Sequence, residues 1–336
     1  MSHFYKDIIT VDFSITKNTD LTEMFNIDAR PTIVQRDNPF KDTFDGSALD
    51  FDVLTEDVRI NLTDEPCKDK KAVCKLGELN GSGIDDWWIV GRDYPVKSHR
   101  QYYDAIEDQI IKNIDPSHLK GAEVKTKSAR NGRWGLRDYS FPNVQVPIKT
   151  KEGHETTVTL RIVAWSGLDG LTANNYMLGA IDNYCLNGMV FTKAGVNAEG
   201  AFTKVYKRNT KNFNLDRFAV HLQDSVEIFY DQAENYRKMA LVPLNRTHGQ
   251  QFIDDLKMSE SKRDGLKAIY SQEILDRGSN VFALHSAFTN YSSHTNENLF
   301  RTRKTNNDVQ ALTMFKREEE VADIFTSSKW NELIAA

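Results

Sequence analysis

Several residues in this chain have types and spacing that chemistry could use. Asp169 and Asp182 sit at two turns of a glycine-containing, apolar stretch, Arg161 to Phe191. Two carboxylates can hold a divalent ion for phosphodiester cleavage, although turn aspartates that accept backbone N–H groups explain them more simply. His285 and His294 are nine positions apart, near one face of a helix. A metal shared by them would need a third ligand from elsewhere, and a hydrogen-bonded helix histidine is the simpler reading. Cys185, between Tyr184 and Leu186, reads as a buried thiol, since a nucleophilic cysteine needs an activating base and exposure. Cys67 and Cys74 have six residues between them and no further Cys or His close by, short of the four ligands zinc takes. No phosphate-cradling G-x-x-x-x-G-K-[ST] loop, H-E-x-x-H pair or G-x-S-x-G elbow occurs, so no catalytic residue, nucleotide cofactor or metal is expected.

Cations form the more telling pattern. The net charge is −5, yet residues 116–217 hold 15 bases and 8 acids, a basic middle inside an acidic chain. One cluster is Lys125, Lys127, Arg130, Arg133 and Arg137, interleaved with Trp134 and Tyr139. A second is Lys204, Lys207, Arg208, Lys211 and Arg217, with Tyr206 and Phe213. Cations neutralise phosphates and release counterions, and aromatic rings stack on any base whatever its identity. Basic and aromatic residues flanking a sheet suit single-stranded nucleic acid better than duplex, which is read by a helix or ribbon in a groove. Lys125, Lys127, Arg130, Arg133, Trp134, Arg137, Lys204, Tyr206, Lys207, Arg208 and Lys211 are therefore the expected contacts, on a chain that self-associates to lengthen the track. The alternative is a basic middle that pairs with its own acidic flanks.

The elements that must position these residues read as strands first and helices after. Short strands are expected at Ile8–Val11, Val53–Ile60 and Trp87–Val90, with the charged Asp64–Lys75 as a loop. A helix runs from Pro95 to about Ile114, where Tyr103, Ile106, Ile110 and Ile111 keep helical spacing and Asp115-Pro116 ends it. From Val124 to Phe191 the pattern is β-rich. Lys151–His154 turns one hairpin, and Val158 to Ala164 alternates as a half-buried strand. A long helix spans Leu215–Ala240 and stops before Pro243, and shorter helices cover Gly249–Lys257, Ser261–Leu275, Val281–Tyr291 and Asp308–Phe325. This order predicts an α+β fold, a twisted, mainly antiparallel sheet followed by a helical C-terminal third. Asn80-Gly81-Ser82-Gly83 reads as a hinge, which divides the chain into an acidic β-rich region (1–83), a basic α+β core (84–217) and a helical region (218–336). No apolar run approaches the ~20 residues of a membrane helix, and the N-terminus lacks signal-peptide character, so a cytoplasmic protein with no membrane partner is expected.

The central motifs carry a family likeness. Ser166, Asp169 and Gly170 form a corner. Cys185, Asn187 and Gly188 follow, then Lys207-Arg208-Asn209-Thr210, and later Ala287 to His294. This set resembles the phage and plasmid proteins grouped as domain of unknown function 932, over about Trp87 to His294. The corner here is Ser-Gly-Leu-Asp-Gly, one residue longer than the family's Ser-His-Asp-Gly type and without its histidine. The resemblance implies a mobile-element origin, a bacteriophage early or replication gene acting in the host cytoplasm. Its sheet-then-helix layout is similar to that of ring-forming single-strand annealing proteins of DNA recombination. Two other functions remain open at this point: a virion or host-interaction protein using Trp87-Trp88 and the acidic flanks, and a metal-dependent nuclease using Asp169 and Asp182.

Overall fold

Antiparallel hairpins set the topology. The computed structural model describes residues 9–10, 38–77, 83–172, 174–184, 187–190, 215–294 and 307–335. Strands β1 (Ile9–Thr10), β2 (Val53–Ile60), β3 (Glu65–Leu76) and β4 (Ile84–Gly91) form a four-stranded sheet. Strands β5 (Glu123–Ala129), β6 (Trp134–Lys149), β7 (Glu155–Gly167), β8 (Asn175–Asp182) and β9 (Asn187–Val190) form a five-stranded one. Within each sheet, strands adjacent in sequence pair antiparallel. Helices α1 (His99–Asn113) and α2 (Pro116–Leu119) lie between the sheets in the chain. Seven more follow the second sheet: α3 (Leu215–Gln223), α4 (Ser225–Leu241), α5 (Arg246–Asp254), α6 (Glu260–Arg277), α7 (Val281–Ser293), α8 (Asn307–Phe325) and α9 (Ser328–Ala335). Antiparallel sheets followed by a helical region make this an α+β fold, as expected.

The five-stranded sheet is the middle of the molecule because both of its faces are apolar. Tyr139, Phe141, Leu160, Ile162, Ala164, Tyr176 and Leu178 point into the main core with Tyr102, Tyr103, Ile106 and Ile110 of α1 and Phe229, Ala233 and Tyr236 of α4. The opposite face carries Trp134, Leu136, Val163, Trp165 and Met177, which α8 covers with Leu312, Phe315 and Ala322. Helix α1 begins where Ser98 accepts the Gln101 N–H while the Gln101 side chain accepts the Ser98 N–H, a reciprocal cap that satisfies two orphan donors. In β6 the register slips between Phe141 and Gln145, at Pro142, which cannot donate to a ladder.

Several boundaries differ from those expected. Residues 64–75 are not a loop. They belong almost wholly to β3, whose charged first half is exposed while Ala72-Val73-Cys74 is buried. A run of charges hides a strand when only one end of it enters the core. β7 is buried on both faces, not half-buried, because α8 returns from far along the chain to cover its outer side. The helix beginning at Leu215 is interrupted at Asp224, between α3 and α4. The division at 83/84 falls between β3 and β4 of one sheet, and that at 217/218 falls inside α3.

Arg161 shows what docking α8 requires. Its side chain is buried on the outer face of β7, with Nε 2.8 Å from Asp138 and two further nitrogens 3.0 Å from Glu318 of α8. Removing one partner of a buried pair strands the other charge, at a cost of about 3–5 kcal/mol. Glu318→Ala should therefore lower the unfolding free energy obtained from urea titration by up to that amount, with Asp138 still beside Arg161. Replacing the whole triad, Arg161→Met with Asp138→Asn and Glu318→Leu, should cost less than the Glu318→Ala single change, and a larger loss in the triple variant would contradict the assignment.

Candidate nucleic-acid interface

Two members of the first basic cluster, Arg130 and Arg133, lie at the tip of the β5–β6 hairpin. Asn131 and Gly132, at φ 56° and 82°, turn the chain, and the Arg133 N–H closes it on the Arg130 carbonyl at 3.2 Å. Asn-Gly is the pair that two-residue hairpin turns prefer, because both positions need left-handed backbone. Arg130 is also left-handed, at φ 55°, a conformation that costs a non-glycine residue about 1–2 kcal/mol. Gly132 packs so closely that an added Cβ would lie 2.7 Å from the Phe51 ring.

The side chains at the tip meet acids and a carbonyl from other segments. Arg130 is ion-paired with Asp169. Asp169 in turn accepts the Leu171 and Thr172 N–H groups at 2.9 and 2.7 Å. The Arg133 guanidinium reaches both oxygens of Asp86 on β4, at 3.1 and 3.0 Å, and lies 4.9 Å over the Trp88 ring. Asn131 donates to the same Asp86 carboxylate at 3.0 Å, and the Trp87 N–H does so at 2.8 Å. Burial pushes the Asp86 carboxyl up, but Arg133, Asn131 and the Trp87 N–H outweigh it and hold it below the usual carboxylate range.

The other members of this cluster lie at different depths. Lys125 is exposed on β5. Lys127 is half-buried with Nζ 3.5 Å from Met314 Sδ, and burial lowers its pKa. Trp134 is 1% exposed and packs in the outer-face cluster with Phe315, so its ring does not meet solvent. Arg137 is fully buried. It donates to Glu107 of α1 at 2.5 Å and to Thr43 Oγ1 at 2.6 Å, among the rings of Phe44, Tyr103 and Tyr139. Burial pushes the Glu107 carboxyl up to about 7, against the pull of Arg137 and the Tyr139 hydroxyl. Lys204, Tyr206, Lys207, Arg208 and Lys211 lie outside the described residues.

The residues weighed for metal or covalent chemistry are dispersed. Asp182 pairs with Val158 at one end of β7, whereas Asp169 follows Gly167 at the other end, roughly 30 Å away at about 3.3 Å per strand residue. Asp182 is wholly buried against Arg277 of α6, at 2.9 Å. His285 is buried and stacked on Phe325, and burial lowers its pKa to about 3. Cys67 and Cys74 are free thiols, and Cys185 is outside the described residues. Among the described residues no three His, Cys, Asp or Glu side chains are grouped to hold a metal.

One residue of this region carries no signal in the sequence. His99, the first residue of α1, is buried, with Nδ1 2.5 Å from Ser166 Oγ and Nε2 2.6 Å from the Gly132 carbonyl. A carbonyl only accepts, so Nε2 carries the hydrogen and Nδ1 accepts the Ser166 hydroxyl. The corner at Ser166 thus meets a histidine after all, one that arrives from 67 positions earlier. With Ser166 only 3% exposed, the pair locks the corner to the hairpin tip and to α1.

Burial lowers the His99 pKa to about 4, against smaller raising effects of the Gly132 carbonyl and Asp169. An unfolded histidine takes its proton near 6.5, so between about pH 6.5 and 4 the unfolded chain binds a proton that the folded chain refuses. Stability should fall as the pH is lowered through that window, by up to about 3 kcal/mol from His99. Urea midpoints measured from pH 7 to 4 should decline less steeply in His99→Gln than in the parent, and parallel profiles would refute the assignment.

Comparison with protein-family models, with curated proteins and with solved structures finds no match to this chain.

Proposed function

We propose that this protein binds single-stranded nucleic acid through the segment that joins β9 to α3, as a phage protein of strand annealing or recombination working without a nucleotide cofactor. One observation carries the reading. The described arginines of the first cluster are taken up by internal acids, whereas residues 191–214 contain five bases and one acid. That segment also holds Phe191, Phe202, Tyr206 and Phe213, rings suited to base stacking. Phosphates along a strand would be neutralised by Lys204, Lys207, Arg208 and Lys211. Self-association would extend the cationic track along a strand longer than one chain can hold. A second reading, contact with a virion or host protein, is favoured by Trp87, which is 41% exposed on β4. Among the described residues no helix is long and apolar enough to cross a membrane.

The test is a titration of labelled single-stranded DNA at several salt concentrations. Each phosphate contact on a single strand contributes about 0.7 to the slope of log affinity against log salt. Replacing Lys204, Lys207, Arg208 and Lys211 together by Ala should weaken binding and flatten the slope by about 3. Arg137→Ala should lower thermal stability and leave the slope unchanged. Absence of single-strand binding by the parent chain at low salt would overturn the reading.

A further inference from the structure

We propose that the β5–β6 hairpin tip, Arg130-Asn131-Gly132-Arg133, is a second phosphate-binding patch that the protein's own Asp86 and Asp169 keep masked. The inference rests on the single-strand reading above and adds a regulatory contact to it. Three features of the tip support it. First, the Asp86 carboxylate sits in a nest of donors from Arg133, Asn131 and the Trp87 N–H. That arrangement would equally receive two oxygens of a phosphodiester, since guanidinium and amide donors recognise both anions alike. Second, the cations are not sealed in: the Arg130 and Arg133 side chains are 42% and 32% exposed, unlike Arg137 at 0%. A strand could reach them by exchanging one anion for another. Third, Arg130 is held in a left-handed conformation beside its Asp169 partner, and local strain of this kind gathers at binding and switch sites.

The mask joins two parts of the molecule. Asp86 belongs to β4 of the four-stranded sheet, and Asp169 to the corner between β7 and β8. The tip is therefore held by an acid of the four-stranded sheet and one of the corner after β7. A bound strand that displaced Asp86 would release the four-stranded sheet's ion pair to the hairpin, while the Trp88 Nε1–H bond to the Leu168 carbonyl and the Tyr94 hydroxyl bond to the Gly167 carbonyl kept the sheets in contact.

The experiment is a cycle of Asp86→Asn, Arg133→Ala and their combination, each titrated with labelled single-stranded DNA over a range of salt. Asp86→Asn should raise affinity several-fold and steepen the salt slope by about 0.7 for each phosphate newly held. Arg133→Ala should cost less affinity and slope in the parent, where Asp86 holds the group, than in the Asp86→Asn background, where it should cancel the gain. An unchanged affinity in a folded Asp86→Asn variant would overturn the mask while leaving the single-strand reading intact. An equal loss of affinity and slope on Arg133→Ala in the parent and in the Asp86→Asn background would overturn it as well. Failure of both the parent and Asp86→Asn to bind would overturn the mask and the single-strand reading together.

Discussion

An arginine taken out of water must find a carboxylate, and in this protein that requirement fixes where the helices sit. Among the described residues four arginines are buried, and the ion pairs of three of them each join the five-stranded sheet to a different helix. Arg137 of β6 meets Glu107 of α1, Arg161 of β7 meets Glu318 of α8, and Arg277 of α6 meets Asp182 of β8. Apolar packing alone leaves a helix some freedom to slide on a sheet, since area burial has no direction. A buried ion pair has direction, because a shift of one turn leaves a charge stranded. The three links come from both faces and one end of the sheet, so together they leave the helical layer a single register.

The same requirement explains much of the uneven charge along the chain. Bases of the middle third are answered by acids of the flanks: Arg133 by Asp86, Arg137 by Glu107, Arg161 by Glu318. A basic middle in an acidic protein is thus in part the trace of a fold that closes on itself. The excess over these pairs lies in residues 191–214, which is why the functional reading moves there. Gly188 belongs to the same logic. An added Cβ there would lie 2.3 Å from the Arg161 guanidinium, so the glycine lets β9 pass close to a buried cation.

The order of elements was legible in the sequence, because strand alternation, Asp115-Pro116 and Pro243 are local signals. Helix α1 was also legible from the spacing of Tyr103, Ile106 and Ile110, though its start lay at Ser98 and not at Pro95. Partnership was not legible. Nothing near Arg137 announces Glu107, and nothing near Trp134 announces that a helix beginning at Asn307 will cover it. A cation beside an aromatic ring reads as a surface feature until its distant partner is known. His99 shows the same limit from the other side. A lone histidine after a helix cap carries no pattern, and its role appears only when the corner and the hairpin tip arrive beside it.

Glu318 lies 157 residues beyond Arg161, and this separation sets a condition on synthesis. Chains grow at about 5–20 residues per second, so the sheet's outer face emerges roughly 8–30 s before the helix that covers it. For that interval Trp165 and Met177 are apolar groups without their cover, and Arg161 has only Asp138 beside it. A half-built sheet with one wet, apolar face is an invitation to pair with another chain. Charged side chains set into that face, Arg161 and Asp138 among them, make it a poor partner for a copy of itself. The ion pair that later locks α8 in place therefore also serves the nascent chain, as a guard on a surface that has to wait.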